Sequence, residues 1–316
     1  MHEYTRQIRD FINEPRAQHV LLRNRALWLQ LCSALDVIED SDLAIACFSA
    51  GEFPATDGAR YLAAYGLLQA LFLQQDAVFN ICESLSIPEK LDSYPGLKEI
   101  REIRNASIGH PTKKAGLKGR PTSYHFISRP TLSLDGFELH SRYSDGTTEF
   151  KSISIPELIA EQRRYVSHIL GSVITELKRR EAAHKEKFKM EKLASVFPPY
   201  LSYCIEKIFE GAERADRAAI GIGEVSLKSI NRTLQAFREA LQKRGIELET
   251  YESVNYIYTL LQYPLAELEK FFQTTKAGEQ PNINEKTAYI FAFFVRAQFD
   301  ELKQMAQEID DYYSGP

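Results

Sequence analysis

The chain has little cysteine, no long apolar run and no surplus of positive charge, and each shortage narrows what it can be. Cys32, Cys47, Cys82 and Cys204 are its four cysteines in 316 residues. They are far apart and form no Cys-x-x-Cys pair, which argues against a disulfide framework or a zinc site and for free thiols in a reducing compartment. No apolar stretch approaches the length that spans a bilayer, and the opening Met-His-Glu-Tyr-Thr-Arg-Gln-Ile-Arg-Asp lacks the apolar centre of a signal peptide. A cytoplasmic protein with no membrane partner is expected. The formal net charge of −4 supplies no overall field for coating nucleic acid, so that work would fall to a local basic patch. Repeats of solenoid period and low-complexity tracts are also missing.

What is present is an ordinary globular composition, 44% hydrophobic and 26% charged, long enough for two modest domains. One stretch carries a hint of chemistry: Pro95-Gly-Leu-Lys-Glu-Ile-Arg-Glu-Ile-Arg104-Asn105-Ala-Ser-Ile-Gly109-His110-Pro111. Projected at about 100° per residue, Leu97, Ile100, Ile103 and Ile108 share one side of a helix, while Lys98, Glu99 and Glu102 share the other. Arg104 falls on the apolar side and Arg101 at its border. A guanidinium stays charged, so burying that side requires a carboxylate, a phosphate or a wet cleft beside it. Pro95 suits the first turn and Gly109 a C-terminal cap, with Pro111 preventing resumption. His110 is then the first residue released, and it can share a site with Arg104 either because the helix ends at Gly109 or because two copies of the helix meet.

Arg104-Asn105-Ala-Ser-Ile-Gly-His110 resembles the Arg-x(4–6)-His motif of HEPN domains, helical modules of prokaryotic toxin–antitoxin, abortive-infection and CRISPR-associated ribonucleases. The polar Asn after the Arg is usual in that family. The resemblance implies a four-helix bundle that forms a homodimer, with two Arg/His pairs lining one cleft that cuts RNA without a metal or other cofactor. Arg104 would bind the scissile phosphate, His110 would work on the 2′-hydroxyl or the leaving oxygen, and Asn105 would position substrate or the partner motif.

The rest of the chain reads as mainly helical. A first amphipathic helix is predicted from about Gln18 to Val37, interrupted by Glu39-Asp-Ser-Asp42. After a loop in which Asp57 offers a cap, Arg60 to Leu85 is the most apolar helix, with Leu62, Leu68, Leu71, Phe72, Val78 and Phe79 among its residues. Its polar exceptions, Gln69, Asp76, Asn80 and Glu83, fall in one narrow stripe. That stripe fits a solvent face, a carboxylate at Asp76 orienting Arg104 or His110, or a seam between subunits. Beyond His110, Lys113, Lys114, Lys118 and Arg120 make a flexible basic loop, which is either a solvated connection or a place to draw in an RNA backbone.

From about 121 to 155 the period becomes alternating, and Asp135-Gly136 and Asp145-Gly146 mark turns, predicting an inserted three-stranded antiparallel meander. His125 and His140 lie on these strands without a second ligand at metal spacing, so they read as surface histidines. Pro156 opens a long helix whose first half completes the bundle. Its second half, Lys178 to Lys192, is either a solvated connector or a basic rail. The expected division is a HEPN-like domain over 1–190 and a second, all-helical domain over 191–316 without a recognisable catalytic set. In the latter, Gly221-Ile-Gly223 is expected to break a helix, and the aromatics Tyr256, Tyr258, Phe271, Phe272, Phe291, Phe293 and Phe294 to fill the core.

The resemblance implies a HEPN-like endoribonuclease in a toxin or anti-phage defence role. The alternative is the same fold as a non-catalytic module for RNA or nucleotide binding or for protein assembly, with Arg104 paired to Asp76 for structure alone. In a third arrangement the C-terminal helices bind a protein partner, such as an antitoxin, and the first half serves as a dimerisation platform.

Overall fold

The computed structural model describes residues 1–14, 17–18, 21, 23–51, 55–114, 122–214 and 216–314. It is mainly helical with one small antiparallel sheet. Among the described residues no helix is long and apolar enough to cross a membrane. The chain divides into two compact units, one of residues 1–13 and 21–178, the other of residues 14–20 and 179–316.

The first unit opens with α1 (His2–Asn13), which inserts Ile8 and Ile12 into the core while Arg9 pairs with Asp36 at 2.7 Å. Helix α2 (Arg25–Ala50) runs straight through Glu39-Asp-Ser-Asp42, where a break was predicted. Neither Gly nor Pro stands there to stop it. The Ser41 hydroxyl donates to Val37 O at 2.7 Å, Glu39 faces Arg9, and Asp42 binds the chain's own amino terminus at 3.1 Å. Helix α3 (Asp57–Ser84) is capped by Thr56 rather than Asp57, the Thr56 hydroxyl accepting from the Ala59 N–H. It is less thoroughly buried than its composition predicts: Leu62 is 75% exposed. Helices α4 (Pro95–Arg104) and α5 (Ile155–Phe188) follow, and the division between the units falls within α5. Leu35, Leu71, Ile81, Leu97, Val166 and Leu170 are fully buried members of one core to which α2, α3, α4 and the first part of α5 all contribute.

The meander is β1 (Ser123–Ile127), β2 (Gly136–Tyr143) and β3 (Thr148–Ser154), antiparallel throughout and in that spatial order. Ile127 is paired with Leu139 and Phe137 with Ile153, so one face of the sheet joins the core, where all four are buried. Gly146, at φ +91, makes the tight turn before β3. Gly136 meets a steric demand instead: a Cβ there would lie 1.9 Å from Ile153 O, across the ladder.

The second unit contains α6 (Leu201–Arg214), α7 (Arg217–Lys243), α8 (Glu252–Ala277) and α9 (Glu285–Ser314) around their own core. Gly221 and Gly223 do not interrupt α7, contrary to expectation. A Cβ on Gly223 would stand 3.0 Å from the Phe272 ring and one on Gly211 2.9 Å from it, so these glycines permit close helix packing. The aromatics divide: Phe271 and Phe272 are buried, whereas Tyr256 and Phe293 are each 64% exposed.

Candidate functional site

The motif sits where α4 changes its geometry. Proline at the first turn and buried Leu97, Ile100 and Ile103 account for a regular helix as far as Arg104. The next five residues, Asn105–Gly109, form a π turn, closed by the His110 N–H donating to Asn105 O at 2.7 Å. Such wide turns within helices occur frequently at functional sites. The helix does end at Gly109, but Gly109 does not act as a left-handed cap, and the capping residue is His110 at φ −139. Glycine leaves room there for the motif's own side chains, since a Cβ would lie 2.9 Å from Arg104 Nη1 and 3.2 Å from Asn105 Oδ1.

Arg104 is half-buried and held entirely by neutral groups. Its Nε and Nη2 donate to Gln69 Oε1 at 3.2 and 2.7 Å, and its Nη1 donates to Asn105 Oδ1 at 2.9 Å. The guanidinium carbon lies 4.3 Å from the centre of the Phe72 ring. Among the described residues no carboxylate lies within ion-pairing distance of it. Those three bonds leave one N–H on each of Nη1 and Nη2, the number a bidentate anion takes.

Arg101, one turn earlier, makes the contrast. It forms a close ion pair with Asp76, donates from Nε to Gln75 Oε1 at 2.8 Å, and approaches the same Phe72 ring at 4.7 Å. Asp76, expected to orient Arg104 or His110, is thus engaged with Arg101, and Gln69 takes the place beside Arg104. The other half of the polar stripe turns to α2, where Gln30 Nε2 donates to Asn80 at 3.3 Å and to Glu83 at 2.9 Å. The stripe is a seam between helices of one chain. Behind Arg101 lies a buried amide relay that sequence reasoning missed. Gln75 Nε2 donates to Gln162 Oε1 at 2.8 Å, and Gln162 Nε2 donates to Leu71 O at 2.9 Å and Gln74 Oε1 at 3.1 Å. Gln162, on α5, is fully buried; its signal in the sequence was a lone amide on an otherwise apolar helix face.

His110 is exposed, and the segment after it is docked to the sheet. Pro111 O accepts from the His125 N–H at 2.7 Å, and Lys114 exchanges two backbone hydrogen bonds with Ser123, at 2.8 and 3.0 Å. β1 also packs against the π turn. The meander therefore holds both ends of the motif's exit, and Lys113 and Lys114 stand exposed just beyond His110. Lys118 and Arg120 lie outside the described residues. His125 faces inward from β1, its ring nitrogens sharing hydrogen bonds with Ser141 Oγ at 2.8 Å and Ser123 Oγ at 2.9 Å. Burial, and then the nearby Lys114 charge, push its pKa below the ordinary histidine value.

Chemically, the arrangement presents a cation with no counter-ion among the described residues, a neutral amide beside it, and an imidazole at the end of the same turn. All four cysteines are unpaired, and Cys82, buried in α3, has its thiol pushed up to about 12, chiefly by burial. Comparisons of the chain with protein-family models, with curated proteins and with solved structures find no match.

Proposed function

We propose that the protein is a metal-independent endoribonuclease of the HEPN type, in which the first unit is a HEPN-like bundle and Arg104, Asn105 and His110 form the site. The observation that carries this reading is the state of Arg104, a half-buried guanidinium fixed by Gln69, Asn105 and Phe72 and, among the described residues, left without a carboxylate. An unneutralised cation in such a place is costly unless an anion visits it, and a phosphodiester supplies one with two oxygens to bind.

In the proposed reaction the 2′-oxygen attacks the adjacent phosphorus, its proton passing to a base, and the 5′-oxygen leaves with a proton from an acid. Products are a 2′,3′-cyclic phosphate and a 5′-hydroxyl. Arg104 offsets the charge that builds on the phosphoryl oxygens, and His110, exposed at the end of the turn, serves as acid or base. Two copies would supply both roles at once. Leu62 and Leu73, 75% and 43% exposed on the face of α3 that carries Gln69, support a second copy covering that side. Lys113 and Lys114 would attract the RNA backbone. A toxin or anti-phage defence role, with a protein antitoxin as partner, belongs to the same proposal.

A second reading, RNA binding or assembly without turnover, is favoured by the three intramolecular hydrogen bonds of Arg104, which also suit a structural arginine. The two are separated by incubating the purified full-length protein with single-stranded RNA in EDTA. The enzymatic reading predicts cleavage that Arg104→Ala and His110→Ala each abolish with folding intact. An intact substrate, with or without EDTA, overturns it.

A further inference from the structure

The face of the sheet turned away from the core is unusual for a surface that water alone would cover. Phe126 on β1, His140 on β2 and Phe150 on β3 are register partners, so their rings form one row across all three strands. The His140 ring lies 4.8 Å from Phe126 and 4.5 Å from Phe150, centre to centre. Both phenyl rings remain open to solvent, 43% and 63% exposed, with Tyr124 beside them at 42%. Arg142 stands over Phe126 at 5.5 Å and, among the described residues, carries no carboxylate partner. The one acid of this face close to the row, Glu138, is taken up by His140.

We infer that this open face is a platform for single-stranded RNA, one base stacking on Phe126 and another on Phe150, with Arg142 taking the phosphate alongside. Cross-strand aromatic packing stabilises a sheet by itself, but it does not require the two outer rings to stay bare. Flat π faces set on the two outer strands, about 10 Å apart, with an arginine on the strand between them, are what unpaired bases and their backbone recognise. A duplex hides its base faces and cannot use them. The identity of the occupant follows also from continuity. β1, which carries Phe126, is also the strand whose edge holds Pro111 and Lys114, so the row ends at the edge where the segment leaving His110 is docked. The inference rests on the ribonuclease reading only for the choice of RNA, and it names the form of the substrate, single-stranded.

The test measures binding in the full-length His110→Ala protein, where cutting is removed, by fluorescence anisotropy of a short labelled oligouridylate. Phe126→Ala and Phe150→Ala are each expected to weaken binding roughly tenfold, within the range of one lost stacking contact. Phe150→Trp should restore it. Arg142→Met should reduce the slope of log affinity against log salt by about 0.7, one phosphate contact on a single strand. A duplex of the same length should bind more weakly than the single strand. Circular dichroism checks the fold of each variant, and Arg142→Met and Phe150→Trp keep the test standing should Phe126→Ala prove unstable. Unchanged affinity in the Phe150 and Arg142 variants, equal affinity for duplex, or no binding by the parent protein overturns the platform. So does light scattering that shows Phe150→Ala dissociating an oligomer with RNA affinity unaltered, since the face would then join two copies of the chain. Cleavage by the wild type is scored separately, so a platform without catalysis and catalysis without a platform give different results.

Discussion

Replacing Gly109 by alanine displaces the key guanidinium without changing any charge. The new Cβ would stand 2.9 Å from Arg104 Nη1, closer than carbon and nitrogen tolerate, and 3.2 Å from Asn105 Oδ1. Both are ends of side chains, so the backbone can stay and the guanidinium must yield. The φ of Gly109 is not positive, and alanine there gains about 0.4–1 kcal/mol by restricting the unfolded chain. Loss of the Arg104–Asn105 bond costs about 0.5–1.5 kcal/mol, so the net change in stability is expected to stay within about 1 kcal/mol. Activity should suffer far more, since a misplacement of about 1 Å can cost on the order of a hundredfold. The single tryptophan, Trp28, lies in the first unit and reports its urea unfolding by fluorescence, while a labelled single-stranded RNA reports cleavage. A Gly109→Ala protein that cuts RNA at the wild-type rate would refute the reasoning, as would one destabilised by several kcal/mol.

Other consequences are as direct. Gln162→Leu leaves Gln75 Nε2 and Gln74 Oε1 in the core without their partner, and should cost about 2–6 kcal/mol in the same tryptophan-monitored unfolding, two unpaired groups at roughly 1–3 kcal/mol each; an unchanged midpoint contradicts this. In the second unit, Asp310, 3% exposed, accepts from the backbone N–H groups of Leu193 at 2.7 Å and Ala194 at 2.9 Å. Asp310→Ala should therefore lower stability by about 2–4 kcal/mol, read by circular dichroism. Burial raises the Cys82 thiol from 9.0 to about 12, while burial and donation to Glu89 raise the Tyr94 hydroxyl. Both groups release protons more readily when unfolded, so stability is full below about pH 9 and falls as the pH rises from 9 towards 12. Cys82→Ala should flatten that fall, and an unaltered slope between pH 9 and 11, measured by urea titration, would count against it. At pH 8 a thiol reagent should label exposed Cys47 in the native protein and leave Cys82 untouched until unfolding.

Periodicity made the strands and the long helices legible, because alternation and three-to-four spacing are written in single residues. The Asp145-Gly146 turn appears at its position, and Leu97, Ile100 and Ile103 face the core as their spacing predicts. What the sequence concealed are decisions made by tertiary partners. Nothing local tells that Glu39 and Asp42 meet Arg9 and the amino terminus, which lets α2 continue, or that Gly223 makes room for Phe272 within a helix. At the site, Arg104 on an apolar flank was readable. Its partner was not, because Asp76 and Gln69 lie on one stripe of α3, and only the axial offset of α4 assigns Arg101 to the acid and Arg104 to the amide. The π turn was equally hidden, since no residue pattern marks it in advance. The aromatic row needed the strand register, for Phe126, His140 and Phe150 are far apart in the chain.

The central claim, that Arg104 and His110 cut RNA through its own 2′-hydroxyl, is tested most directly with a DNA oligonucleotide carrying a single ribonucleotide, incubated in EDTA, the products weighed by mass spectrometry. The account predicts one break, on the 3′ side of that ribose, yielding a 2′,3′-cyclic phosphate and a 5′-hydroxyl, and none with His110→Ala. An intact strand, breaks at deoxyribose positions, or the same products from the His110→Ala protein would contradict it.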